Sequence, residues 1–511
     1  MDQAARLDEI WAEAGLSSRR CLSCDVCCRF SSPVAAFLPF FSAAEMAGLG
    51  FVSRAACRVT GGNPDGSLLG TGDAGRGTFL CPGHSPGEHV LPVAMAGGCR
   101  CPFFQTEAGK CSIYDRRPLD CRLYPLVLMY DELGKEVWLA ADEACPFVFE
   151  RVGAPEFQQA VGEVAELLET DLADTVAGAP GIISVFQEQP RPLRTLPGIT
   201  RRVCRSDLGL ARLVTTCGKP LEGYFRARPT CLTGHAFPAI VLWGDAFNLL
   251  WKVEADCLLV LAEDGGVSFL MAPPFGTGDL ARALPAAREL MAAINGSRGG
   301  ARVQEVDEEL LPALTAAGWP VGHRAVEYVY STEALASLRG RHFDGKRHDC
   351  RRFESLGKAT WRRYEDSDFL AAVALLRKWR EERAGHCADS FYRAQLLDSG
   401  FLHLRTLREA EPLKLMGRVV EVEGQVVAYT FGFPLADGVT FADFIEVADL
   451  SYPGLGAFVF REFARSVRGY PFLNAGTDSD LPNLARSKLL YRPLRVVPSY
   501  VVNVPQTETR E

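Results

Sequence analysis

Across residues 155–176 the apolar side chains Ala160, Val161, Val164, Leu167, Leu168 and Leu172 recur at steps of three and four. That spacing draws one stripe down a helix, with Pro155 suited to its first turn and Pro180-Gly181 marking a stop beyond it. Residues 187–197 are dotted with proline and read as a linker. Apolar runs of strand length follow at 239–243, 247–253, 257–262 and 266–271. Helices are expected at 280–294 and 307–317. Each contains a proline, Pro285 and Pro312, which shifts the expected start later.

A second mixed stretch opens near Arg341. Residues 368–384 predict a long helix with Ser367 as its cap, followed by a helix at 391–399. Alternation at 418–422 and 425–433, joined by Glu423-Gly424, predicts a hairpin. A strand at 440–447 leads through Tyr452-Pro453-Gly454-Leu455-Gly456 into a helix at 458–467. Strands at 472–475 and 496–502 close the chain. Strands and helices in this order make an α+β protein.

Length and charge narrow the picture. A chain of 511 residues exceeds one hydrophobic core, and 48% apolar with 10% aromatic residues argues for folded domains throughout. The formal charge of −8 gives no support to a surface that coats nucleic acid in general, and no DNA partner is expected. A local basic cluster stands out against it: Arg339, Arg341, Lys346, Arg347, Arg351 and Arg352. Such a cluster suits a phosphate backbone, RNA in particular. No run reaches eighteen apolar residues, and the start MDQAARLDEIWAEAG has no secretory pattern. A cytoplasmic protein with no transmembrane segment is expected.

The cysteines carry the clearest chemistry. Eleven of seventeen precede residue 150. Cys21, Cys24, Cys27 and Cys28 are answered by Cys101, Cys111, Cys121 and Cys145. In a reducing compartment this clustering favours thiolate–metal bonds, to zinc or to an iron–sulfur cluster, in one centre or two. Cys57, Cys81 and Cys99 read equally well as buried small residues, and His84 is a mixed-ligand candidate beside Cys81. The glycine-rich stretch 61–77 reads as a loop; it lacks the G-x4-G-K-[ST] pattern of a nucleotide site.

The CxxCxxCC start, then CPFF, then CSIYDRRPLDCRLYP, then Cys145, resembles the YkgJ-like family, provisionally described as a zinc- or iron-chelating domain. The resemblance implies the eight cysteines above as metal ligands, framed by Arg117, Pro118, Arg122, Tyr124 and Pro125.

A second resemblance covers residues 200–505. FPAIVLWGDAFNLLWKVEADCLLVL, EYVYSTEALASLRGRHFDGKRHDCRRF and NAGTDSDLPNLARSKLLYRPLR are similar to the phosphatidylglycerol lysyltransferase C-terminal family. That family implies tandem acetyltransferase-like (GNAT) folds related to the Fem aminoacyltransferases. Some members transfer an amino acid from aminoacyl-tRNA to a lipid headgroup. The family pattern falls on Tyr328, Tyr330, Lys346, Arg347, Phe353, Asn474, Asp478, Leu481, Lys488, Tyr491, Arg492 and Pro493.

Together these imply a cysteine-rich metal-binding domain at 1–165, a helix end and linker at 166–198, and GNAT-like domains at 199–338 and 339–511. The expected chemistry is acyl or aminoacyl transfer from aminoacyl-tRNA or acyl-CoA to a small-molecule or peptide amine or hydroxyl. Candidate catalytic groups are Glu446, Asp478 and Tyr491. Donor-binding candidates are Lys346, Arg347, Arg351, Gly454, Gly456, Lys488 and Arg492. The alternative is a metal or iron–sulfur redox sensor or regulator whose GNAT-like region only binds a partner.

Overall fold

The structure, a computed structural model, describes residues 4–16, 24–49, 87–316, 318–385 and 390–505. The chain divides into two compact units, Met1–Cys217 with Leu397–Leu404, and Gly218–Leu396 with Arg405–Glu511. Among the described residues no helix is long and apolar enough to cross a membrane.

The first unit is built from short pieces. They include α1 (Ala5–Glu13), β1 (Arg29–Phe30), β2 (Gly98–Arg100), β3 (Phe104–Gln105), β4 (Lys110–Cys111), α2 (Leu119–Leu123), β5 (Leu126–Tyr130), β6 (Val137–Ala141), α3 (Pro146–Arg151), α4 (Pro155–Glu169) and β7 (Arg191–Thr195). The predicted apolar stripe is the buried face of α4, whose Phe157, Ala160, Val161, Val164, Leu167 and Leu168 are buried. The helix ends at Glu169, and Leu172 precedes a separate helix at Ala173–Gly178. The expected linker at 187–197 is corrected to β7, an edge strand antiparallel to β6 with a register shift between Pro192 and Arg194. Proline is tolerated there because an edge strand need not donate every amide.

The second unit is α+β around one mixed sheet. Its elements include β8 (Asn248–Glu254), β9 (Cys257–Asp264), β10 (Val267–Leu270), α5 (Leu280–Asn295), β11 (Arg302–Val306), β12 (Val321–Ser331), α6 (Asp344–Glu354), β13 (Ala359–Arg363), α7 (Phe369–Gly385), β14 (Met416–Val422), β15 (Gln425–Pro434), β16 (Thr440–Ala448), α8 (Leu455–Ser466), β17 (Phe472–Thr477), α9 (Pro482–Leu489) and β18 (Arg495–Asn503). Within this unit the strands lie in the order β8-β9-β10-β11-β18-β12-β17-β16-β15-β14-β13. Neighbours are antiparallel except for β10 with β11 and β16 with β17. Each parallel pair is joined through a helix, α5 in one case and α8 in the other.

Three further expectations are corrected. Residues 239–243 form a helix, Phe237–Val241, continued by a tight turn to Asp245. A fully buried apolar run has no period to distinguish helix from strand, and Pro238 in the first turn favours the helix. Ser367 is not the cap before α7; Glu365 and Asp368 form a reciprocal capping box there. Finally, α8 begins at Leu455 rather than 458, so Gly454 is its N-cap and Gly456 lies within its first turn.

Candidate functional site

In the first unit, short pairings gather the cysteines. β1 runs antiparallel to β2, and the Cys101 amide donates to the Cys28 carbonyl at 2.8 Å. The β3–β4 hairpin holds Cys111 opposite Phe104. α2 carries Cys121, and Cys145 is the N-cap of α3. Cys24, Cys27, Cys28, Cys101, Cys111, Cys121 and Cys145 all line one cavity of about 730 Å³.

Arg117 lines the same cavity. Its guanidinium stacks 3.9 Å over the Tyr114 ring and pairs with Asp8 at 2.9 Å. Its charge favours the thiolate forms of Cys27, Cys111 and Cys121. Burial opposes it, and pushes the Cys101 thiol up to about 12. The Cys27 and Cys28 sulfurs approach to 4.0 Å, and this contact, with burial, raises the Cys27 thiol further. Among the described residues no three His, Cys, Asp or Glu side chains form a group that holds a metal ion. Thiolates are in general ligands for thiophilic metals; the seven described here line one wall without gathering into such a group. Cys21 lies outside the described residues, as do Cys57, Cys81, His84 and the loop at 61–77. Cys99 is buried on β2 and stands outside the cavity wall.

In the second unit the polar chemistry centres on Lys488 of α9. Its ammonium donates to the Ala475 carbonyl and, at 3.2 Å, to that of Gly476. Burial brings its pKa down to about 8, opposed by Asp443, Glu327, Asp478 and Glu446. Asp443 accepts the Thr430 hydroxyl at 2.9 Å, and burial raises its carboxyl to about 7. Glu446 is raised well above the carboxylate range by burial and by Asp443, with Lys488 pulling the other way.

Glu327 on β12 holds this arrangement from behind. It is 2% exposed and accepts the Thr233 amide and hydroxyl, each at 3.0 Å, and the Asn474 side-chain amide at 2.5 Å. Asn474 in turn accepts the Gly476 amide at 2.8 Å. Glu327 therefore orients Asn474, Asn474 fixes the turn after it, and that turn supplies the carbonyls that bind Lys488. Burial, helped by Glu305, raises Glu327 to about 7.

Three tyrosines complete the cluster. Tyr328 donates to Asp478 at 2.6 Å, and Tyr330 to the Lys488 carbonyl at 2.9 Å. Tyr491 packs edge-on against Phe460, and the Lys346 ammonium stands 4.3 Å from the centre of its ring. Burial and then Glu446 raise the Tyr491 hydroxyl. Gly454, at φ +90°, presses on the backbone of Asp349 in α6, and a Cβ placed on Gly456 would sit 3.8 Å from Glu446 Oε1. The glycine turn, α6 and the Glu446 carboxyl are thus neighbours.

Residues 231–503 match the family model described as phosphatidylglycerol lysyltransferase, C-terminal, over more than half of the chain. The chain belongs to this family. Residues 20–146 match a second model, CxxCxxCC, named for a zinc- or iron-chelating domain, so the two are fused in one chain. Among solved structures, a conserved protein of unknown function from Bacteroides thetaiotaomicron is similar at 21% identity and a TM-score of 0.52. It covers 58% of this chain and 99% of its own. L-PGS from Bacillus licheniformis is 16% identical with a TM-score of 0.41, covering 57% of this chain and 93% of its own. No curated protein matches.

Within the phosphatidylglycerol lysyltransferase C-terminal region, Glu446, Asp478, Lys488, Tyr491 and Lys346 meet in one cluster, with Gly454 and Gly456 beside it. Arg347 is turned aside, donating to the Leu338 and Gly340 carbonyls and pairing with Asp344. Arg351 and Arg492 are exposed. Asp443 and Glu327 were missed by sequence reasoning. Acids inside apolar strands, in ADF and EYVY, were the available signal.

Proposed function

We propose that this protein is an acyltransferase that takes an aminoacyl group from aminoacyl-tRNA and gives it to an amine or hydroxyl on a small molecule or peptide. The observation that carries this reading is the enclosure of Lys488 among Asp443, Glu446, Asp478 and Glu327 beside the first turn of α8. Such a cluster joins a proton acceptor, an oxyanion partner and groups that position them.

The acceptor nitrogen or oxygen attacks the ester carbonyl of the donor, its proton passes to Glu446, and the tRNA 3′-hydroxyl leaves with that proton. Lys488 stabilises the developing oxyanion, Tyr491 donates a hydrogen bond, and Asp478, held by Tyr328, orients the donor's amino group. The exposed Arg351 and Arg352 then meet the RNA backbone. The repeated order of three antiparallel strands, a helix and a parallel strand supports two GNAT-like halves. The first unit is read as a metal-binding companion carrying zinc or an iron–sulfur cluster, in a cytoplasmic protein.

The test is transfer by the full chain from tRNA charged with labelled amino acids to a panel of amines, peptides and anionic lipid vesicles. Label moving from tRNA to an acceptor, and lost in Lys488→Met, supports the reading. Binding of neither charged tRNA nor acyl-CoA, with no label transferred, rejects it in favour of a regulatory protein.

A further inference from the structure

We propose that Arg418 on β14, with Arg363 facing it from β13, forms an oxyanion subsite of the second unit that takes the carboxylate or phosphate of the acceptor. Its role toward the acceptor rests on the transferase reading; the binding of an oxyanion does not.

β13 is the last strand of the sheet, and its final residue, Arg363, pairs directly with Arg418. Direct partners on antiparallel strands put their side chains on one face, about 5 Å apart at Cβ, and like charges so placed repel. A cation inside the fold is ordinarily answered by an acid. The same strand does this one residue earlier. Arg362, on the opposite face, holds both Asp368 oxygens at 2.7 Å and Glu421 at 2.9 Å. The buried Arg405 likewise pairs with Asp245 at 2.8 Å. Among the described residues no carboxylate forms an ion pair with Arg418 or Arg363, and the buried Arg418 Nε has no hydrogen-bond partner.

Burial, and then Arg363, lower the pKa of Arg418. Both effects penalise the charged guanidinium, and an oxyanion held between the two arginines offsets them through charge-assisted hydrogen bonds. Arg363 is exposed and Arg418 is half-buried, so the pair is reached from solvent at the sheet edge.

The row continues inward on the same face. Arg418 pairs with Thr430 on β15, and Thr430 with Glu446 on β16. Two strand spacings, about 10 Å, therefore separate the backbones of Arg418 and Glu446. The row runs from two cations to the carboxyl that takes the acceptor's proton. An acceptor with an anion at one end and an amine or hydroxyl at the other matches that order of charges.

The experiment titrates the full chain with sodium phosphate and with sodium acetate, each against sodium chloride at equal ionic strength, by calorimetry. Saturable binding of one or both is expected, and which of them binds tells phosphate from carboxylate. Arg418→Gln and Arg363→Gln should each weaken it about tenfold or more. In chloride alone the exposed Arg363→Gln should melt no lower than the parent chain, because a repulsion is removed. That variant keeps the test open if Arg418→Gln folds poorly. No saturable binding, equal binding by both variants, or a lower melting temperature for Arg363→Gln overturns the subsite. Once an acceptor is in hand, Arg363→Gln should raise its KM and leave kcat unchanged. An unchanged KM overturns the acceptor role while oxyanion binding stands, and failure to find any transfer counts against the transferase reading alone.

Discussion

Asp443 and Glu446 stand three residues apart on β16, yet both carboxyls act on the ammonium of Lys488. An odd separation puts side chains on opposite faces of a regular strand. Here the pairing of β15 with β16 shifts between Phe431–Ile445 and Gly432–Asp443, so β16 carries the extra residue Phe444. The bulge returns Glu446 to the face of Asp443, a device that commonly re-aims side chains beside sites.

The buried acids make stability pH-dependent. Asp443 and Glu327 are raised from ordinary carboxyl values to about 7, so between pH 4 and 7 the folded state binds more protons than the unfolded chain. Their stabilisation is complete below pH 4 and is lost as the pH rises through 7. Lys488 acts oppositely: its lowered pKa favours the fold above its free value, and that contribution is lost as the pH falls through about 8. Urea denaturation at pH 5 and 7 should show the second unit weaker at pH 7, by up to about 1.4 kcal/mol per pH unit for each acid. Asp443→Asn should flatten that slope, and an unchanged slope would refute its assignment.

Gly454 is constrained twice, by φ +90° and by the Asp349 carbonyl where a Cβ would go. Gly454→Ala should lower stability by about 1–3 kcal/mol and displace α6 from the turn. Gly438, at φ +71° with open space around it, isolates the backbone part of this cost. Thermal melts of the two variants should therefore differ, with Gly438→Ala losing no more than about 1 kcal/mol. Equal losses would mean that the Asp349 contact contributes nothing.

Transfer chemistry makes a separate demand on Lys488 and Glu446. Lys488→Met and Glu446→Gln should each reduce kcat by about 10²–10³-fold while leaving the Kd for charged tRNA within a small factor. Arg351→Glu with Arg352→Glu should do the reverse, weakening tRNA binding and reducing its salt dependence. Filter binding at two salt concentrations beside single-turnover kinetics separates the two classes.

Arg122 is 8% exposed and joins three parts of the first unit. It pairs with Asp8 and donates to the Arg117 carbonyl at 3.1 Å and the Asp115 carbonyl at 3.0 Å. Trp11 of α1 donates to its own carbonyl at 3.1 Å. Arg122→Met should cost about 2–3 kcal/mol by leaving these acceptors unpaired. Because Asp8 also holds Arg117, the change should lower metal retention too. Metal content and urea midpoint measured on one preparation would show whether the two effects travel together.

Much of the second unit was legible because its elements are periodic or punctuated. The Glu423-Gly424 hairpin, with both residues at positive φ, and the strand–glycine–helix order around Gly454 follow from local chemistry alone. The helix at 237–241 and the strand at 191–195 were not legible. The first is apolar on every side, and the second forms only because β6 offers it an edge.

By itself the sequence determined the residue types: which thiols could bind a metal, which acids and bases lie near strand ends, and where most elements begin. Spacing and side-chain chemistry act over a few residues, and that is the range a linear pattern reports. Tertiary structure alone decided that seven cysteines share one wall, that Glu327 governs Lys488 through Asn474, and that a bulge turns Asp443 and Glu446 together. Those relations join residues as far apart as Glu327 and Lys488. Their energetics come from burial and from exact pairing of polar groups, which exist only once the chain has closed around them.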